Sequence, residues 1–189
     1  MDRFQSKYFK VLPKKSEILS KLSELKIGKI NDIFLFDYSS CSAVFCVKVL
    51  DQNNNEKKIV IRGEQQNGNT QYPKTIYSLE KEIKVFEQML RLGLNVPKVL
   101  FNSKIYSVPG YDQEGKKVKD FNFYLMSYVD GIAVDRKLNA VNNEEKLYLL
   151  NKISEIMAKV HSVKGKEYGF IDQYKNASFQ TGNIDGFLN

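Results

Sequence analysis

The sequence predicts an α+β fold, in which an antiparallel sheet with one helix inserted after its third strand is followed by an all-helical part. Three observations predict it. Apolar residues change from helical to strand spacing after residue 30, an amphipathic stretch from residue 79 interrupts the strands, and helical spacing returns from Asn143.

Residues 16–27, SEILSKLSELKI, place Ile18, Leu19, Leu22 and Leu25 on one face behind a serine, which gives a short amphipathic helix. Three stretches follow that are rich in Ile, Val and Phe: NDIFLFDYSS (31–40), SAVFCVKVL (42–50) and KKIVIRGE (57–64). They read as antiparallel strands, with the polar DQNNNEKK as the hairpin tip between the last two. SLEKEIKVFEQMLRLG then sets Leu79, Ile83, Phe86 and Leu90 on one helix face, and Gly93 with Pro97 closes the segment. KVLFNSKIYSV (98–108) reads as a strand, YDQEGKKVKD (111–120) as a turn and FNFYLMSYVDG (121–131) as a further strand. From Asn143 a long helix carries Leu150, Ile153, Met157 and Val160 inward and stops near Gly165. Two kinds of packing in one chain of 189 residues suggest two lobes with a crevice between them.

Composition narrows the function classes. Hydrophobic residues make up 42% and charged residues 27%, as in a soluble globular protein with a real core. Lys and Arg outnumber Asp and Glu by 29 to 22, and the formal charge of +7 favours an anionic ligand. The cations are dispersed through KYFK, PKKSEILSK and KKVKD rather than gathered in one arm, which argues for a solvated surface over a nucleic-acid interface. Cys41 and Cys46, at odd spacing on a strand, point to opposite faces, so free thiols and a reducing, cytoplasmic location are expected. No signal-peptide core and no apolar run of about 18 residues is present, so no membrane association is expected. CxxC and HExxH are missing, His161 is the only histidine, and no metal-site or Walker-type reading is made.

Arg62 is the residue that most needs explaining. It lies on an apolar strand, sharing its face with Val60, and an unpaired guanidinium costs free energy to bury. On a wheel of about 100° per residue, Glu82 sits about 60° from the apolar stripe of the following helix, while Glu80 and Glu87 are worse placed. Arg62 therefore either pairs with Glu82 or snorkels to water at the strand end. His161 reads as a packed structural histidine, and Tyr128 as core and wall.

The order of these segments resembles the N-terminal half of the aminoglycoside phosphotransferase and choline kinase family, small-molecule relatives of the protein kinases. IVIRGE looks like that family's third strand, where a lysine or arginine holds nucleotide phosphates. EIKVFEQMLRLGLNVPKVL is similar to its next helix, with Glu82, Gly93 and Pro97 on the family pattern. FYLMSYVDG looks like its hinge strand, and ISEIMAKVHSV like its helix ending in Val-His. The resemblance implies a protein-kinase-like N-lobe over residues 1–126, a hinge at 127–131 and the beginning of a helical C-lobe over 132–189. It implies ATP or GTP as ligand, with Mg2+ held by residues beyond this chain. Val60 would roof the base, Arg62 would reach the phosphates with Glu82 orienting it, and backbone groups of Ser127 and Val129 would read the base edge. Ser39, Ser40, Cys41 and Ser42 would lie over the phosphates, although their loop has no glycine and so differs from a kinase Gly-rich loop.

The family's H-G-D...N loop is not found: His161 opens HSVKGKEYG, and the FID around Asp172 follows too closely. The sequence is thus expected to be the N-terminal, nucleotide-binding part of a phosphotransferase acting on a hydroxyl of a small molecule, such as an aminoglycoside-like antibiotic or an amino alcohol. No catalytic residue is assigned within it, and alone it is expected to be inactive. The rival readings are a catalytically silent kinase-like binding or regulatory module, and a basic nucleic-acid-binding domain resting on charge alone.

Overall fold

The computed structural model describes the chain except for residues 1, 5, 7, 8, 37–41, 52, 66–77, 133, 135–139 and 163–189. The expectations placed on Ser39, Ser40, Cys41, Gly165, Asp172 and the tail lie outside the described residues. The rest is α+β. Its elements in order are α1 (Lys15–Glu24), β1 (Lys29–Phe36), β2 (Ser42–Leu50), β3 (Glu56–Gln65), α2 (Leu79–Arg91), β4 (Tyr106–Tyr111), β5 (Lys117–Ser127) and α3 (Asn143–His161). The five strands form one sheet in the order β1-β2-β3-β5-β4, and every neighbouring pair is antiparallel. The inserted helix therefore stands between the third strand and the two that complete the sheet, as the change of period predicts.

The sheet's registers sort its side chains into two faces. Leu35, Phe45, Ile61 and Leu125 are cross-strand partners on one face. Ile18 and Leu22 of α1 belong to the same buried cluster, together with Phe9, Phe121 and Phe123. Phe45 and Phe121 meet edge to face at 6.0 Å, and Phe4 packs on Phe45 at 4.7 Å. Each large side chain so removed from water contributes about 1.5–3 kcal/mol. Gly63 is required in this layer because a Cβ there would lie 2.3 Å from a ring carbon of Phe121 and 3.0 Å from the Ala43 carbonyl oxygen.

The N-terminal segment covers part of the sheet edge. Leu12 and Tyr111 exchange backbone hydrogen bonds of 3.0 and 2.9 Å, which satisfies groups that β4 would otherwise leave exposed. The Tyr111 hydroxyl donates to Glu17 and ties α1 to that strand. Asp2 accepts from the Ser16 amide and hydroxyl at 2.7 and 2.6 Å, serving the first turn of α1 from outside the helix.

Four expectations need correction. The strand read over 98–108 is shorter: Val99 makes one bridge to Met126, a 3-10 turn occupies Phe101–Ser103, and β4 begins only at Tyr106. Phe101, Asn102 and Ser103 all have φ between 54° and 57°, a left-handed run that side-chain propensities do not signal. The turn read over 111–120 ends early, since β5 starts at Lys117 and stops at Ser127. In α3, Leu150, Ile153 and Met157, read as inward, are exposed, and so is His161, read as packed. In α2, Leu79 and Ile83 are buried, Phe86 is half-buried and Leu90 is exposed, so the buried stripe is strongest in the first turns.

The chain divides into two units, Met1–Ile83 with Pro97–Tyr128, and Lys84–Val96 with the chain from Val129 onward. In the second, α3 starts with a reciprocal cap: Asn142 Oδ1 accepts from the Glu145 amide at 2.9 Å, and Glu145 Oε2 accepts from the Asn142 amide at 3.1 Å. A groove of about 240 Å³ there is lined by Ile132, Val134, Val141, Glu145, Tyr148 and Leu149. No helix among the described residues is long and apolar enough to cross a membrane.

Candidate functional site

Arg62 lies on the sheet face opposite the buried aromatic cluster. Two cross-strand rows run across that face. Phe34, Cys46, Val60 and Met126 form one, and Phe36, Val44, Arg62 and Tyr124 the next. Arg62 thus emerges from the middle of the sheet among apolar neighbours, as strand alternation requires.

Its partner is Glu82. Nε donates to Oε1 and Oε2 at 3.2 and 3.3 Å, and Nη2 donates to Oε1 at 2.9 Å. The pair answers the first of the two alternatives left open by the sequence. Local structure fixes where Glu82 stands. Ser78 Oγ accepts from the Lys81 amide at 3.2 Å and Ser78 O from the Glu82 amide at 3.1 Å, so α2 begins at a capped turn with Glu80 and Glu82 at its positive end. Leu79 and Ile83 hold that turn by burial, which leaves Glu82 on the shoulder. At its other end the Gly93 amide donates to Leu90 and the Leu94 amide to Met89, a Schellman stop for which Gly93 adopts φ of +69°. Neither member of the pair is sealed, since the Arg62 side chain is 27% exposed and that of Glu82 30%. Nη1 takes no part in the pair's hydrogen bonds.

Beneath the pair lies Tyr124, the β5 register partner of Arg62, with no exposed surface. Burial, then the Glu82 carboxylate, push its phenol well above the ordinary value, with Arg62 opposing. Glu82 acts on the phenol through its charge and through a hydrogen bond, although that contact falls short of standard hydrogen-bond geometry. Cys46 in the adjoining row is a free, buried thiol whose pKa is raised by burial, which makes it an inert packing residue.

The other residues singled out by sequence are placed as follows. Val60 is buried beside Cys46 and Met126, on the Arg62 face. Ser42 is buried at the start of β2, opposite Gln65. Ser127 ends β5 with its amide donating to the Lys98 carbonyl at 2.8 Å and its Oγ accepting from the Lys98 amide at 2.8 Å, so that amide is already engaged within the chain. Val129 is exposed and belongs to the second unit. Tyr128 is half-buried, with Lys58 Nζ 5.0 Å from its ring centroid. Structure thus brings Val60, Arg62 and Glu82 together. It adds Tyr124, which the sequence reading passed over, although the alternation of Phe121, Phe123 and Leu125 already sets Tyr124 on the other face.

Gly110, Gly115 and Lys116 have the GxxxxGK spacing without the following Ser or Thr. They sit in the β4–β5 hairpin, where Asp112 accepts from the Gly115 and Lys116 amides at 3.1 and 2.8 Å, and not ahead of a helix. This is turn chemistry rather than a phosphate cradle. Among the described residues, no three His, Cys, Asp or Glu side chains are grouped to hold a metal ion. Compared with protein-family models and with curated proteins, the chain matches none.

Proposed function

We propose that the chain is the N-terminal, nucleotide-binding part, with a kinase-like N-lobe, of a phosphotransferase that acts on a hydroxyl of a small molecule. The observation that carries this reading is the Arg62–Glu82 pair, formed between the third strand of an antiparallel sheet and the helix inserted after it. A carboxylate that holds a guanidinium in a fixed orientation, in a place water can reach, creates a directed cation for phosphate oxygens. The apolar row through Val60 and Met126 offers a base a surface next to that cation. ATP or GTP supplies the phosphoryl group. In this lobe the role of the chain's own residues is to bind and orient: Arg62 neutralises phosphate charge, Glu82 aims Arg62, and Val60 packs. The described residues do not provide a ligand set for Mg2+, so no step is assigned to a metal here.

Calorimetric titration with ATP tests the reading. A hydrogen bond to a charged group contributes about 1.5–3 kcal/mol, so Arg62→Ala is expected to weaken ATP binding by roughly 10- to 100-fold. Equal affinity in the two proteins overturns the proposal.

A further inference from the structure

Lys48, Lys57 and Lys58 stand together where β2 and β3 approach their hairpin tip. Lys57 pairs with Asp51 at 3.1 Å and Lys48 with Glu56 at 3.5 Å. Lys58 is in no such pair among the described residues, and its Nζ lies 5.0 Å from the centroid of the Tyr128 ring instead. Its register partner is Lys48, so two cations face each other across the strands, which works against pairing. An electron-rich acceptor brought to Lys58 offsets that repulsion. Lys58 also shares a face with Arg62, because strand alternation sets Lys58, Val60 and Arg62 on one side of β3. Four residues of strand put the two cations about 13 Å apart along the backbone. The apolar row of Cys46, Val60 and Met126 lies between them. Lys58, Tyr128 and Arg62 all belong to the first unit of the chain.

We infer that Lys58 is a specificity-determining residue, which donates to the edge of the bound base and selects guanine over adenine. In the nucleotide reading above, on which this assignment rests, the base lies on the Val60 row and the phosphates meet Arg62. The far edge of the base then points along β3 to Lys58. An ammonium has three donors and no acceptor. Guanine presents O6 and N7, both acceptors, where adenine presents N7 beside an amino donor. Lys58 is thus matched by guanine and opposed by adenine. Tyr128 contributes by keeping the ammonium at the end of the apolar row, so that less side-chain freedom is lost when the base arrives.

Calorimetric titration of the full chain with GTP, ITP and ATP tests the assignment, since inosine keeps O6 and N7 and lacks only the exocyclic amino group of guanine. GTP and ITP are expected to bind about tenfold more tightly than ATP. Lys58 is exposed, so Lys58→Met keeps the apolar stem and leaves the core untouched. That variant should bring GTP and ITP down to the affinity of ATP, while Lys58→Arg, which keeps charge and donors, should retain most of the preference. Equal affinities for the three nucleotides in the wild type, all weakened by Arg62→Ala, overturn the role of Lys58 and leave the nucleotide reading standing. A guanine preference that survives Lys58→Met overturns it too. So does a variant that weakens all three by one factor, which would make Lys58 a phosphate ligand. Tight GTP with ITP no better than ATP places recognition at the amino group and overturns Lys58 as the reader. If none of the three binds, the nucleotide reading falls and the role of Lys58 falls with it.

Discussion

The two faces of the sheet are cut from the same strands and differ in what their residues are for. On one, Phe45, Ile61 and Leu125 are completely buried and carry no polar atom in their side chains. On the other, one residue along each strand, lie Cys46, Arg62 and Tyr124, two of them just as completely buried. Burial alone therefore does not separate the faces; chemistry does. The first face is explained by packing, because any set of apolar side chains of the right volume would serve. The second holds a guanidinium, a carboxylate and a phenol, none of which a sheet needs in order to fold, and the function proposed for them is the binding of an anionic ligand.

The largest effect should come from breaking the first face. Phe45 touches the rings of Phe4 and Phe121 and has no exposed surface. Phe45→Ala should cost about 3–5 kcal/mol of unfolding free energy, read by urea denaturation. The molecules that remain folded should bind ATP as the wild type does. A loss of less than about 1 kcal/mol would mean that the aromatic layer can collapse around the gap, and would erase the contrast.

Arg62→Ala should behave in the opposite way. Both members of the pair are partly exposed, so its removal should change unfolding free energy by no more than about 1 kcal/mol, while the affinity for ATP falls by roughly 10- to 100-fold. A stability loss as large as that of Phe45→Ala would make Arg62 a structural residue and merge the two faces into one.

How far this contrast could be read from sequence depends on which physical signal each part leaves. The strands β2 and β3 were legible because alternation and β-branched residues agree, and α2 because Leu79, Ile83 and a Gly93 stop mark a helix at both ends. The Arg62–Glu82 contact was legible too, since strand alternation and a helical wheel each fix one partner. Tyr124 was not, because a tyrosine inside an aromatic strand reads as core, and only the register shows that it stands opposite Arg62. The break at Phe101–Ser103 was hidden for another reason: three consecutive left-handed residues follow from tertiary context, and none of the three is glycine. In α3, the spacing of Leu150, Ile153 and Met157 correctly signals a helix, but periodicity says nothing of what covers the apolar side chains, which are exposed.

The smallest predicted effect lies at the β2–β3 hairpin tip, outside both faces, and it serves as their control. Asp51 accepts from the Asn53 and Asn55 amides at 2.9 and 3.0 Å and pairs with Lys57 at 3.1 Å. Its carboxyl is held below the ordinary value of 3.8, first by the Asn55 amide and then by Lys57. The ionised form is thus the one the fold favours, so its contribution is complete above the unfolded pKa and disappears as pH falls through the lower folded value. Asn at this position keeps an acceptor for the turn and lacks the charge. Thermal melts of wild type and Asp51→Asn should therefore differ slightly at about pH 7 and converge in acid below the ordinary carboxylate range. A gap that persisted there would trace to turn geometry instead of charge. Because Asp51 touches neither face, the variant should leave both the aromatic layer and ATP binding unchanged, and a change in ATP affinity would show that the site extends beyond the row of Arg62 and Tyr124.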